Sequence, residues 1–165
     1  MASVWRLTFL GTMFLWLMMV LVVSLIPARA EEAATRATLT IKIYNVSPKG
    51  GMLRLGLYDA ARYPDNDSTP VASADVPAHL GENVIVLEGV PPGTYAIQTF
   101  QDINSNGRMD TSWLGFPLEP FGFSRDARPI LSKPGFKAVS FHLASGENEQ
   151  SLHLQNSISV IARKD

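Results

Sequence analysis

The feature that most restricts the fold of this chain is a strict alternation of apolar and polar residues near its start. Within residues 37–46, Leu39, Ile41 and Ile43 occupy every second position, and residues 52–59 repeat the pattern. Successive side chains of a β-strand point to opposite faces, so a segment of this kind buries one face and exposes the other. A cluster of Ser, Pro, Lys and Gly residues between the two segments is typical of a turn. The alternation therefore predicts two half-buried strands joined as a hairpin.

Further along the chain, short β-branched or alternating segments recur between clusters of turn-forming residues. After residue 30, no segment has the period of an amphipathic helix. The recurring segments predict five more strands, at residues 71–76, 83–88, 94–101, 136–144 and 151–161. About seven short strands in a chain of this length are typical of two packed antiparallel sheets. The predicted fold class is therefore all-β, an antiparallel sandwich of the immunoglobulin-like or prealbumin-like type.

The first 30 residues have the pattern of a cleavable export signal. Arg6 precedes an almost wholly apolar run, Leu7–Ile26, which Pro27 ends, and Ala28–Ala30 supplies the small-x-small pattern of a cleavage site. No cysteine follows the run, which excludes a lipoprotein anchor. The alternative is an uncleaved membrane anchor, because about 20 apolar residues suffice to span a bilayer. We expect export to the periplasm or the cell exterior, with Leu7–Ile26 as the membrane-binding segment if cleavage fails.

Cleavage after Ala30 leaves residues 31–165, which is the size of one ordinary domain. We predict a flexible stretch at 31–36 and a single domain at 37–162 that contains a long loop, 102–135. The cleaved chain retains 12 Lys and Arg residues against 15 Asp and Glu residues, a net charge of −3. This weak acidity, without a basic patch, argues against nucleic acid as a partner. The absence of cysteine excludes disulfides and thiol chemistry.

One segment of the long loop carries the side chains of a metal site. Asp102, Asn104, Asn106 and Asp110 place oxygen atoms at its first, third, fifth and ninth positions, and Gly107 at the sixth permits a sharp reversal. Ca²⁺ takes about six to eight oxygen ligands, which a tight loop supplies from alternate residues. The first half of the segment matches the D-x-[DN]-x-[DN]-G pattern of calcium loops. The segment therefore predicts a Ca²⁺-ordered loop.

The second half of this segment departs from the calcium-binding helix-loop-helix motif. Arg108 would contribute a backbone carbonyl, but Trp113 stands at the twelfth position, where a bidentate Glu is needed. Glu119 and Asp126 are further carboxylates that the fold would have to bring to the site. The alternative is an Asn- and Gly-rich turn that is closed by its own side-chain-to-backbone hydrogen bonds. No cofactor other than Ca²⁺ is indicated.

Aromatic residues are concentrated immediately after this segment. Trp113, Phe116, Glu119, Phe121 and Phe123 together would suit a surface that contacts a glycan, a peptide or another small ligand. The alternative, which we favour, is that the aromatic side chains pack onto the sandwich and hold the long loop in place.

No arrangement of residues indicates catalysis. Ser124 lacks the G-x-S-x-G context of a hydrolase nucleophile, and the P-loop, dinucleotide-binding and H-E-x-x-H patterns are absent from the sequence. His142 and His153 fall on adjacent predicted strands, where we expect solvent-facing cross-strand neighbours and not a metal-binding pair. We therefore expect no enzymatic activity.

Three blocks of sequence resemble a known bacterial family. They are a P-G-x-Y-A turn and strand within Leu87–Ile97, the D-x-N-x-N-G-x-x-D loop of Asp102–Asp110, and a G-x-P-x-E-x-x-G-F-S segment within Leu114–Ser124. With the blocks in this order, the chain is similar over residues 38–161 to the bacterial family called domain of unknown function 2141. The resemblance implies an exported β-sandwich and no established activity.

These features together predict an exported, non-enzymatic binding or structural module. Its Ca²⁺-ordered loop would present the interaction surface to an unidentified protein, glycan or small ligand. One alternative is a small secreted hydrolase or carbohydrate-active protein that uses the acidic residues of the loop. Another is a sandwich that carries a small apolar ligand between its sheets.

Overall fold

The computed structural model describes residues 35–65, 67–129 and 132–157, which contain two β-sheets and one short helix. The predicted signal segment, residues 1–30, lies outside the described residues, as does most of the predicted flexible stretch, 31–36. Among the described residues, no helix is long and apolar enough to cross a membrane.

The described residues contain eight strands. They are β1 (Ala37–Tyr44), β2 (Met52–Tyr58), β3 (Ala72–Pro77), β4 (Asn83–Val90), β5 (Gly93–Asp102), β6 (Phe121–Phe123), β7 (Phe141–Leu143) and β8 (Gly146–His153). A 3-10 turn, Ser124–Asp126, follows β6, and the short helix α1, Phe136–Val139, precedes β7. The predicted all-β class is confirmed.

The first sheet has three strands in the order β4-β1-β8. Strand β1 pairs antiparallel with β4, where Ile41 lies opposite Ile85, and parallel with β8, where Ile41 lies opposite Gln150. This parallel pair departs from the purely antiparallel arrangement that we predicted. A parallel pair cannot be joined by a tight turn. Most of the domain separates the two strands here, so no local sequence pattern indicates their pairing.

The second sheet has five strands, with β3, β2, β5 and β6 as consecutive neighbours and β7 also paired with β5. All of its pairs are antiparallel. The short strands β6 and β7 pair with different parts of β5. Strand β6 pairs with Gln98–Phe100, and β7 pairs with Gly93–Tyr95. Strand β5 is therefore the centre of this sheet, and the long loop starts from its last residue.

The two sheets face each other across one continuous cluster of buried apolar side chains. It combines Leu39 and Ile43 of β1 with Leu53 and Leu57 of β2 and Leu152 of β8, all of which are fully buried. Each such side chain stabilises the fold by roughly 1.5–3 kcal/mol on leaving water. The alternation in the sequence thus corresponds to the faces of β1 and β2 that meet in the core of a sandwich.

A second cluster covers the other face of β5. Tyr63 from the segment after β2, Phe121 and Phe123 of β6, and Val139 of α1 pack around Ala96. Strand β5 is consequently buried on both faces, which explains the run of consecutive buried residues at its centre. Phe121 and Phe123 lie within the predicted loop 102–135, so their packing fixes this part of the loop to the sandwich.

The predicted hairpin between β1 and β2 is wrong, because the two strands lie in different sheets. Residues 45–51 form an arch between the sheets, and its last two residues, Gly50 and Gly51, have positive φ angles. The fully buried side chain of Gln101 holds this arch. Its Oε1 accepts from Ser47 N at 2.7 Å, and its Nε2 donates to the carbonyls of Ser47 and Gly50 at 2.9 and 2.7 Å. Alternation specifies the buried face of a strand but not its neighbour.

Three local predictions in the second half of the chain need correction. Strand β6 lies inside the predicted loop 102–135, and helix α1 replaces the first part of the predicted strand 136–144. Strand β8 begins at Gly146, five residues before the start of the predicted strand 151–161. The first residues of β8 are polar, so apolar periodicity is absent there and backbone pairing with β1 forms the strand instead. Residues 158–161 of the last predicted strand lie outside the described residues.

Candidate functional site

The long loop leaves the sandwich at the end of β5, where the side chain of Asp102 is fully buried. A buried carboxylate is costly unless it is paired and hydrogen-bonded. Arg54 of the neighbouring strand β2 supplies the pair, because its Nε donates to Asp102 Oδ2 at 2.6 Å. Its Nη1 lies 2.5 Å from Oδ2 of the more exposed Asp75 on β3. One guanidinium group thus connects strand β3 with the base of the loop.

Two backbone N–H groups of the loop complete the surroundings of Asp102. Asn106 N donates to Oδ1 at 3.0 Å, and Gly107 N donates to Oδ2 at 2.8 Å. Gly107 has a φ of 84°, in the left-handed region that glycine adopts without strain. The turn predicted at Gly107 is therefore present, and the loop wraps around the buried carboxylate.

The ionised form of Asp102 is favoured. Burial alone would raise the pKa of Asp102, but hydrogen bonds from Arg54, Gly107 and Asn106, together with the charge of Arg54, hold the pKa below its usual value. The hydrogen bond to Asp102 in turn raises the pKa of Arg54. The two residues form a permanent ion pair at neutral pH, and Asp102 has no proton to donate there.

The side chains of Asn104, Asn106 and Asp110 converge on the exposed side of the loop. Asn104 Nδ2 donates to Asp110 Oδ2 at 2.7 Å, and Asn106 Nδ2 donates to Asp110 Oδ1 at 2.9 Å. The amide oxygens of Asn104 and Asn106 accept from the backbone N–H groups of Asn106 and Arg108. Within the described residues, no group of three or more His, Cys, Asp or Glu residues is placed to hold a metal ion. The predicted ligands are therefore brought together, with their polar atoms bonded to one another.

Glu119 closes the loop from its far end. Its buried carboxylate accepts from Ile103 N through Oε1 at 2.8 Å and from Asp110 N through Oε2 at 3.1 Å. Of the two carboxylates that we expected the fold to recruit, Glu119 thus joins the loop and Asp126 does not. Because one carboxylate binds both sides of the loop, residues 103–110 form a closed base.

Beyond this base, residues Thr111–Leu118 form a short hairpin that we call the apolar tip. Thr111 and Pro117 form a β-bridge, Ser112 N donates to Phe116 O at 2.8 Å, and Leu118 N donates to Asp110 O at 2.8 Å. Four of the seven exposed large apolar side chains in the described residues lie here. Their exposed fractions are 92% for Trp113, 60% for Leu114, 49% for Phe116 and 65% for Leu118. An ordered turn thus holds apolar side chains in water.

The aromatic residues predicted as surface contacts divide into two groups. Trp113 and Phe116 are exposed in the apolar tip, which corrects the expectation that they pack onto the sandwich. Phe121 and Phe123 are buried, with ring centroids 6.0 Å apart in an edge-to-face arrangement, and Glu119 is buried as well. The expected packing therefore holds only for β6, because its residues pair with β5 whereas the apolar tip bonds mainly to itself.

Ser124, His142 and His153 are not arranged for catalysis. The buried Oγ of Ser124 accepts from Ile97 N at 2.9 Å and donates to Val139 O at 2.6 Å, so it is not exposed as a nucleophile. His142 lies on β7 and His153 on β8, in different sheets. The prediction that they are cross-strand neighbours is wrong because β7 pairs with β5 and β8 with β1.

His153 instead contacts Asp126 and Tyr44 on the three-stranded sheet. Its Nδ1 lies 2.9 Å from Asp126 Oδ2, and its backbone N donates to Asp126 Oδ1 at 2.7 Å. The imidazole stacks on the ring of Tyr44, with centroids 5.2 Å apart, and the Tyr44 hydroxyl donates to Glu82. Asp126 is engaged in this cluster and does not contribute to the loop.

Sequence reasoning missed Arg54, Gln101, Leu114 and Leu118. Arg54 occupies the polar phase of the alternation in β2 and so reads as a solvent-facing residue, and only the pairing of β2 with β5 brings it to Asp102. Leu114 and Leu118 did carry a signal. The run from residue 113 to 118 holds four large apolar residues together with two turn-forming residues, Gly115 and Pro117, which indicates apolar side chains on a turn.

Comparison with known proteins identifies a family. A family model described as "uncharacterized protein conserved in bacteria (DUF2141)" matches residues 41–151, well over half of the chain. No curated protein matches. A solved structure of a pilus-presented adhesin, Cpa, is similar over 74% of this chain and 28% of the adhesin chain, with 14% identity and a TM-score of 0.32. The chain thus spans little more than a quarter of that adhesin. The match to the family model agrees with the three sequence blocks, and the chain belongs to this bacterial family of uncharacterized proteins.

Proposed function

We propose that the protein is an exported, non-enzymatic binding module whose contact surface is the apolar tip. The observation that carries the proposal is the contrast between the tip and its base. Trp113 and its apolar neighbours are exposed, whereas Asp102 and Glu119 below them are buried and fully hydrogen-bonded. Contiguous apolar side chains that are kept in water usually mark an interaction site.

The closed base makes the tip suitable for binding because the loop is already ordered. A flexible loop loses conformational freedom when it binds, and each side chain that becomes fixed costs roughly 0.5–1.5 kcal/mol. Here Arg54, Glu119 and the loop N–H groups hold residues 103–110 before any partner arrives. Binding would therefore order only the side chains of the tip.

The surroundings of the loop carboxylates support binding over catalysis. A general acid or base must reach a substrate with a free oxygen. Both oxygens of Asp102 and both oxygens of Glu119 accept hydrogen bonds from protein groups, and both side chains are buried. Of the three carboxylates in the closed base, Asp102, Asp110 and Glu119, Asp110 alone is partly exposed. Turnover of a glycoside or ester substrate that is lost on Asp110→Asn would favour the alternative, a small hydrolase or carbohydrate-active protein.

A Ca²⁺ ion that further stabilises the already ordered loop is a second part of the proposal. The support is the convergence of Asn104, Asn106 and Asp110, because rotation of both amides would turn their oxygens towards the Asp110 carboxylate. The carbonyl of Arg108 would add a further oxygen. Asp102 would contribute little, since both of its oxygens already accept from Arg54 and from backbone N–H groups. The ion would take the place of the amide N–H groups that now bind Asp110.

Photo-cross-linking in the producing bacterium tests the contact surface. A photoreactive amino acid replaces Trp113 in one variant and Val84 in the control, because Val84 is 50% exposed on the three-stranded sheet. We expect an adduct from position 113 that is absent from position 84 and that weakens when Leu114→Ser and Leu118→Ser are added. If position 113 yields no specific adduct in folded protein, the tip is not a contact surface.

Export is tested separately, by fractionating the cells and sequencing the N-terminus of the recovered protein. We expect the protein outside the cytoplasm, beginning at Glu31. An intact N-terminus in the membrane fraction would show that residues 7–26 remain as an anchor. Recovery from the cytoplasm would contradict export.

A further inference from the structure

We infer that the apolar tip inserts into the interfacial layer of a lipid bilayer. The inference rests on the proposed function, since it names the partner of the same surface. It follows from the chemistry of the tip, from its internal hydrogen bonds and from its shape.

The chemistry of the tip suits a membrane interface. Residues Thr111–Leu118 contain no ionisable side chain, so insertion transfers no charge out of water. Tryptophan is enriched where hydrocarbon meets headgroups, and leucine and phenylalanine gain most from leaving water. Trp113, the most exposed of the four apolar side chains, would lead the insertion.

The backbone of the tip is prepared for a medium that offers few hydrogen-bond partners. Unpaired backbone groups are costly in lipid. Ser112 N and Leu118 N donate to carbonyls of the same loop, and Gly115 N donates to Ser112 O at 2.9 Å. Phe116 N donates to Ser112 Oγ at 3.1 Å, while Pro117 has no N–H to satisfy. Most of the tip's backbone donors are therefore paired before contact with lipid.

The shape of the tip favours a fluid partner over a solid one. Trp113, Leu114 and Leu118 each keep more than half of their surface exposed, so water surrounds most of each side chain. A flat protein surface would touch only the outermost atoms of such side chains. A fluid layer closes around each of them and removes the most apolar area from water.

A second apolar side chain lies at the same end of the sandwich. Met52 is paired with both Pro77 and Asp102, so the turn after β3 and the start of the long loop share one end of the five-stranded sheet. That turn carries Leu80, which is 77% exposed. Two separate turns with exposed apolar side chains at one end are consistent with contact with an extended layer.

Trp113 itself reports on insertion. The sequence has three tryptophans, and the other two, Trp5 and Trp16, fall in the signal segment. The full chain with Trp5→Phe and Trp16→Phe is reconstituted into phosphatidylcholine vesicles, with and without bromine on the acyl chains. The control protein carries Trp113→Phe and Ser145→Trp in addition to Trp5→Phe and Trp16→Phe, so that its single tryptophan is at position 145. The exposed Ser145 lies near the first residues of β5, roughly 30 Å from its last residue.

We expect the emission of Trp113 to shift to shorter wavelength and to be quenched by brominated lipid, while the Ser145→Trp reporter is not. Adding Leu114→Ser and Leu118→Ser should lower the quenching to the level of that control, whereas Val84→Ser should leave it unchanged. Equal quenching of the two reporters, or none of Trp113 in folded protein, overturns the inference. Should the photo-cross-link from position 113 then join a protein, the binding function stands and the lipid assignment alone fails.

Discussion

Arg54 on β2 donates its Nε hydrogen to the fully buried Oδ2 of Asp102 at the end of the neighbouring strand β5, at a distance of 2.6 Å. This ion pair joins the sheet to the loop, because the other hydrogen bonds to Asp102 come from Asn106 and Gly107 of the loop itself. The conformation of the loop thus depends on a residue that lies 48 positions earlier in the chain.

Removing the Asp102 carboxylate should therefore destabilise the fold strongly. Asp102→Ala leaves the guanidinium of Arg54 and two loop N–H groups without their acceptor, and breaking one partner of a buried pair costs about 3–5 kcal/mol. Urea denaturation measures the loss. Asp75→Asn is the matched control, since it removes the other, half-exposed partner of Arg54 and should cost at most about 1 kcal/mol. Equal losses in the two variants would contradict a special role for Asp102.

The carboxylate of Glu119 should control the order of the loop. Glu119→Gln replaces one of its two acceptor oxygens by an N–H donor that faces a backbone N–H group, at either Ile103 or Asp110. We expect a loss of about 1–3 kcal/mol in stability and faster hydrogen exchange at one or both of these amides. Glu88→Gln, at an exposed position of β4, should change neither. Unchanged exchange at both amides would show that the loop is held without Glu119.

The side chain of Gln101 should hold the arch between the two sheets. Gln101→Ala removes all three of its hydrogen bonds to Ser47 and Gly50 and takes these partners from partly buried backbone groups. We expect a loss of about 2–4 kcal/mol, measured by thermal or urea unfolding. Gln98→Ala, on the same strand but only half-buried, serves as the control and should cost less. A smaller loss for Gln101→Ala than for the control would show that the arch is formed by its glycines alone.

Stability should fall at alkaline pH through Tyr63. Burial raises the pKa of Tyr63 to about 12 in the folded protein, above its ordinary value of 10.0. Because the folded state favours the neutral phenol, this contribution to stability is complete below pH 10 and is lost as the pH rises towards 12. Its size is on the order of 2 kcal/mol. The difference in stability between the wild type and Tyr63→Phe should shrink over that range, and a constant difference would contradict the assignment.

Calcium should stabilise the protein if it replaces the amide N–H groups around Asp110. At roughly 100 times its dissociation constant, a bound ion adds about 2.7 kcal/mol. We expect millimolar Ca²⁺ to raise the melting temperature and Asp110→Asn to abolish the rise. Asp67→Asn, in a different exposed turn, should keep it. If neither calorimetry nor thermal unfolding responds to Ca²⁺, the internal hydrogen bonds alone close the loop.

Much of the sandwich was predictable because its signal is local. The alternation around Ile41 identified the buried face of β1, and the turn at Gly107 followed from residue type alone. Pairings that depend on distant residues could not be read in this way. The arch that Gln101 holds and the parallel pair of β1 with β8 arise only when the two sheets come together. At the loop, the residue types predicted which oxygen atoms would converge. They did not predict the contact with the guanidinium of Arg54, which comes from a neighbouring strand.

The position of β1 between β4 and β8 determines when the three-stranded sheet is complete. Lys42 on β1 and Glu149 on β8 form an ion pair although they are 107 positions apart. Until Gly146–His153 has been synthesised, one edge of β1 is unpaired, and an open edge can pair with other chains. Contacts between such distant segments also make folding slow. An intermediate in which β1 has folded before Gly146–His153 joins it therefore exposes an edge prone to aggregation.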